Sequence, residues 1–169
     1  MDSGLDQEKT SLWGVLHDGE VKQLQTSREE QTADLEIVVR HLNDFYDWPA
    51  NRGIRFSFVE VVELKISQWV PDPVAGRDDI RSRRWSRREW DSFERVVPPH
   101  TLEVLEAALY RRPQGARLEL AGYEHDVWLE IIIQGRELKL STPDGACDVD
   151  RLIQMGDSYW DNFGKKRKR

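Results

Sequence analysis

Val127-Trp128-Leu129-Glu130-Ile131-Ile132-Ile133 is the stretch on which the fold turns. β-Branched and aromatic residues fill it without a glycine or proline, and such side chains pack best on a pleated, half-buried surface. It predicts a strand. The following Gln134-Gly135-Arg136 predicts a turn, and Glu137–Leu140 a returning strand. Just upstream, Leu118 and Leu120 alternate with Arg117 and Glu119, which predicts another strand.

Working outward, the first half of the chain repeats the pattern. Ile54, Phe56 and Phe58 alternate with Arg55 and Ser57, and the apolar residues then crowd through Val59, Val61, Val62, Leu64 and Ile66. Leu35, Ile37 and Val39 point one way, Glu36 and Arg40 the other. A further strand is expected over about residues 20–26, after a short helical turn near Trp13 and a tight turn at His17-Asp18-Gly19. Asp47–Gly53 reads as a connection. No long helical crossover separates these strands, so antiparallel pairing is expected.

The middle of the chain reads differently. Pro71-Asp72-Pro73 opens a polar insertion over residues 71–84. Ser86 with Glu89 three positions on matches a capping box, and Trp90, Phe93 and Val97 follow at helical spacing until Pro98-Pro99. Thr101 could cap a second helix, with Leu102, Leu105, Ala108 and Leu109 as its apolar stripe and Pro113 as its stop. Leu152, Ile153, Met155, Tyr159, Trp160 and Phe163 form a C-terminal segment expected to cover the sheet, and residues 164–169 a basic tail. Strands cluster rather than alternate with helices. The expectation is one α+β domain, an antiparallel sheet of about six strands packed against one or two helices.

Composition narrows the function classes. A chain of 169 residues can bury a sizeable core without a staple. Seven Trp and a hydrophobic fraction of 38% argue for a folded protein. The formal net charge of −6 disfavours nucleic acid and anionic membranes as partners. No apolar run approaches the ~18 residues of a membrane span. The polar, acidic start and the single cysteine, Cys147, lead us to expect a cytoplasmic protein.

Motifs for chemistry are sparse. His17-Asp18 and His125-Asp126 are the candidate site residues, because His nitrogens and carboxylates can hold a metal or move a proton when they converge. The plainer reading is that both pairs serve turns. Cys147 lies beside Asp148, whose charge disfavours a thiolate, so an inert thiol is expected. No phosphate-cradling glycine loop occurs, and no metal or cofactor is expected. Two basic features stand against the acidic whole. One is the Arg-rich stretch with Arg83, Arg84, Arg87 and Arg88 around Trp85. The other is the tail with Lys165, Lys166 and Arg167. Arg with aromatics can grip phosphate and stack on bases, which makes these the candidate nucleic-acid contacts.

Leu16-His17-Asp18-Gly19-Glu20-Val21, then the strand at Leu35–Val39 and Ile54-Arg55-Phe56-Ser57-Phe58, resembles small uncharacterised bacterial proteins that open with L-H-D-(A/G)-x-(I/V). The resemblance spans about residues 12–68. Several such proteins are regarded as immunity-like or accessory proteins. It implies an antiparallel sheet with one or two helices and supplies no catalytic residue.

Together these readings predict a binding module for another protein, with an immunity-type inhibitor as one form. The expected contact residues are Trp48, Trp69 and Trp85 beside turns, and Asp44, Asp47, Glu60 and Glu63 beside the sheet. An enzyme with a His-Asp site and a nucleic-acid accessory protein are the alternatives.

Overall fold

The computed structural model describes residues 8–71, 85–91, 102–125 and 127–166. Among these are nine strands and three helices. They are β1 (Glu8–Ser11), α1 (Trp13–Leu16), β2 (Gly19–Ser27), β3 (Thr32–Val38), α2 (Arg40–Tyr46), β4 (Ile54–Pro71), β5 (Trp85–Asp91), β6 (Leu102–Arg112), β7 (Gly115–Glu124), β8 (Val127–Thr142), β9 (Gly145–Cys147) and α3 (Val149–Lys166). All pairings are antiparallel. The α+β expectation holds, with more strands than six.

The sheet curls on itself. β4 and β8 form its long ribbon, paired from Arg55↔Ser141 to Trp69↔Trp128. The other edge of β4 holds β3 at one end and β5 at the other. The other edge of β8 holds β7 and then β9. β2 joins β3 to β6 through only Gly19↔Val104 and Glu20↔Glu103, which completes a ring of β4, β3, β2, β6, β7 and β8.

The ring has an apolar inside because alternate residues face it. Leu35, Ile37, Ile54, Phe56, Phe58, Leu118, Leu120, Ile131 and Ile133 are all buried there. Burying a side chain such as Phe56 stabilises by roughly 1.5–3 kcal/mol. Leu12, Val15 and Leu16 of the first turn, Leu42 of α2, and Val149, Leu152 and Met155 of α3 belong to the same core. Helix α3 starts where the Asp148 carboxylate accepts the Arg151 backbone N–H at 2.7 Å. Its buried positions recur at three- and four-residue steps, so one stripe faces the sheet. A side chain at Gly156 would meet Val15 and the Gly14 carbonyl, so glycine there lets α3 lie close on α1.

Three sequence expectations are corrected. Residues 102–112 form strand β6, not a helix. A bulge between Val104 and Glu106 shifts the phase of the alternation. The buried set is Leu102, Val104, Ala107 and Leu109, so Leu105 and Ala108 of the expected stripe fall outside it. Residues 85–91 form strand β5, not a helix begun at Ser86. The long edge of β4 offers them a ladder from Lys65 to Pro71, and those hydrogen bonds outweigh a local capping pattern. Gln134-Gly135-Arg136 is no turn but the middle of β8. There the ribbon bends, opposite the bulge near Val61–Glu63 and the left-handed backbone of Glu60 (φ 51°).

Sequence missed α2, whose seven residues show too little periodicity to read. Its buried Asn43 gives both amide hydrogens to the loop, at 2.8 Å to the carbonyls of Pro49 and Arg52. β4 runs through Pro71, the first residue of the expected insertion; residues 72–84 lie outside the described residues. α3 extends through Lys166, into the expected basic tail.

Candidate ligand-binding face

The outward side of β6, β7 and β8, bordered by β1, carries a concavity. Its chemistry follows from register. Glu106 lies opposite Ala121, and Ala121 opposite Glu130. In the next row Ala108, Glu119 and Ile132 stand side by side. Small alanines between the carboxylates leave a hollow of about 470 Å³. Trp13, Tyr110 and Lys9 close its far end, with the Lys9 ammonium 5.7 Å from the centre of the Tyr110 ring.

Three carboxylates and one ammonium thus line the hollow, and one of the carboxylates has a guanidinium partner. Glu119 accepts from Arg117 at 2.8 Å, and the other arm of Arg117 reaches Glu63 at 2.5 Å. Among the described residues no basic side chain pairs with Glu106 or Glu130. Glu130 accepts the Trp128 indole N–H at 3.3 Å. It also lines a second, more open hollow of about 420 Å³ with Trp69, Tyr123 and Trp128. The two hollows therefore meet at Glu130.

The predicted site residues fall elsewhere or only in part here. His17 Nδ1 lies 3.0 Å from Asp18 Oδ2, within ion-pair range but without a hydrogen-bonding angle. Asp18 takes a left-handed backbone (φ 60°) and gives its N–H to the Val104 carbonyl, so the pair serves the turn into β2. His125, also left-handed (φ 54°), turns β7 into β8; Asp126 lies outside the described residues. No described contact joins His17 or Asp18 to His125. Among the described residues no three His, Cys, Asp or Glu side chains are grouped to hold a metal ion.

His17 instead keeps company with His41. Its ring lies on Trp13 at 4.6 Å, and the His41 ring lies 4.4 Å from Tyr159 and 5.7 Å from Trp160. His41 Nε2 is buried and has no hydrogen-bond partner among the described residues. Burial lowers the His41 pKa, opposed by the Asp18 and Asp44 carboxylates and reinforced by His17. This cluster joins α1, α2 and α3 and is a packing element.

Of the expected contact residues, Trp48 is a correction: it is buried against the core, stacked on Tyr46, with its N–H on Asp144 at 2.7 Å. Its large ring fills the gap between the α2 loop and the β8–β9 turn, so it cannot serve as an exposed anchor. Trp69 lines the second hollow. Trp85 begins β5 opposite Pro71. Asp44 and Asp47 are exposed near the end of α2, whereas Glu60 pairs with Arg136 at 3.1 Å and Glu63 with Arg117, near the β4 bend. Arg87 and Arg88 stand opposite Trp69 and Gln68 in register. Lys165 and Lys166 end α3, and Arg83, Arg84 and Arg167 lie outside the described residues.

Sequence reasoning missed Glu106, Glu119 and Glu130 as a group. Reading residues 102–112 as a strand would have placed Glu106, Ala108 and Tyr110 on one face. No helix among the described residues is long and apolar enough to cross a membrane. Comparison with protein-family models, curated proteins and solved structures found no match.

Proposed function

We propose that the protein is a protein-binding module that takes a basic, extended segment of a partner into the groove of Glu106, Glu119 and Glu130. The observation that carries this reading is the gathering of Glu106 and Glu130 beside the Arg117-paired Glu119 in one aromatic-rimmed concavity, with the Lys9 ammonium at its far end. Such a field attracts a cationic partner and orients its approach. Aromatic side chains at both ends supply the apolar area that anchors an interface. The net charge of −6 acts in the same direction. An immunity-type inhibitor of a basic enzyme, such as a nuclease, is the role that fits this chemistry. The His-Asp enzyme and nucleic-acid readings have no comparable grouping among the described residues.

The test is fluorescence anisotropy with a labelled, extended Arg/Lys-rich peptide, at low and high salt. Binding should weaken with salt, and the triple variant E106Q/E119Q/E130Q should bind about tenfold more weakly, equivalent to ~1.4 kcal/mol. Equal binding to the triple variant would remove the groove from consideration.

A further inference from the structure

The row next to the carboxylates has its own chemistry. Tyr123 lies opposite Trp128 across β7 and β8, and Trp128 lies opposite Trp69 across β8 and β4. Three aromatic side chains thus occupy one row on adjacent strands, which stand ~4.8 Å apart. The Tyr123 and Trp128 rings meet at 78° with centroids 5.0 Å apart, so they make a corner, not a stack. Glu130, two residues from Trp128 on the same outward face, holds the Trp128 N–H and brings a formal negative charge to the rim.

We propose that Trp69, Tyr123, Trp128 and Glu130 form a box for an organic cation of the quaternary or methylated ammonium class. Ring faces attract a cation through their quadrupole, and indole does so most strongly. A primary ammonium needs hydrogen-bond acceptors to replace its water, and of the four lining residues only Glu130 carries a carboxylate. A methylated ammonium needs fewer and gains contact with the rings through its methyl groups. The hollow of about 420 Å³ admits such a group. The box adjoins the carboxylate groove through Glu130, and as a subsite of that groove it rests on the reading given above.

Choline titrated into the isotope-labelled full chain, followed by the tryptophan indole N–H signals in NMR, tests this. Its neutral isostere 3,3-dimethylbutan-1-ol is the control. Arg87 stands opposite Trp69 in register, so R87A is titrated alongside to keep a cation of the chain itself from concealing the site. Choline should bind at least about fivefold more tightly than the isostere, and W128A and E130Q should each lose several-fold. E130Q keeps the test decisive should W128A unfold. Choline binding no tighter than the isostere in both wild type and R87A, or undiminished in E130Q, would overturn the proposal. Choline binding without basic-peptide binding would sustain the box and refute the peptide groove. The reverse pattern would remove only the box.

Discussion

Trp160 of α3 donates its indole N–H to the carbonyl oxygen of Gly14 in α1 at 2.7 Å. The indoles of Trp13 and Trp160 lie nearly parallel, with centroids 6.2 Å apart. W160F would keep much of the ring contact but leave the Gly14 carbonyl without its donor. The expected loss is about 1 kcal/mol, read as a lower midpoint in urea unfolding. An unchanged midpoint would mean that the Trp160–Gly14 bond adds nothing to the hold on α3, which rests then on its apolar stripe and on the Tyr46 hydroxyl bonded to the Met155 carbonyl.

Acid should loosen the same helix. The His41 pKa in the folded protein lies below its ordinary value of 6.5, with burial as the largest cause. The folded state thus prefers neutral imidazole. That contribution is complete above pH ~6.5 and is lost as the pH falls from there through the folded value. Unfolding midpoints measured from pH 7.5 to 5 should fall, and H41N should flatten part of that slope. A slope identical in H41N would assign the acid response to other groups.

G122A should be among the more damaging small substitutions. A Cβ at Gly122 would collide with the carbonyl oxygen of Glu103, at the bulge of β6. Backbone cannot yield as a side-chain tip can, so a loss of about 3 kcal/mol is expected. Gly164 has open space around it, and G164A should change stability by no more than about 1 kcal/mol. Thermal unfolding of the two variants compares them directly.

Cys147 should react slowly with thiol reagents near neutral pH. Burial raises its pKa first, the Asp148 carboxylate adds to this, and Arg151 opposes it. Less thiolate means less nucleophile. D148N should quicken modification by iodoacetamide, and an unaltered rate would leave burial as the sole brake.

The start of β4 was legible because its alternation is unbroken there: Ile54, Phe56 and Phe58 are buried, and Arg55 is exposed. The turn at His17-Asp18-Gly19 and the covering role of α3 were legible too, from turn chemistry and an apolar stripe. β6 was not, because its bulge disguises a period of two. β5 was not, because its partner edge on β4 is remote information that no local pattern contains. The candidate groove follows the same logic. Glu106, Glu119 and Glu130 come from three strands, and only register brings them into one hollow. His17 and Asp18 attracted notice by residue type, and the turn accounts for them.

The ring of strands also sets an order of events in folding. Hairpins such as β6–β7 and β7–β8 need only local encounters and can form early. The β4–β8 ribbon joins distant parts of the chain, and its loop-closure entropy must be met before its ladder repays it. The two-pair junction of β2 with β6 is narrower still. We expect a slow final step in refolding, with the ring open at one or both of these joints until then. In that open state the bare edges of β4 and β8 can recruit a second chain, so refolding yield should fall as protein concentration rises.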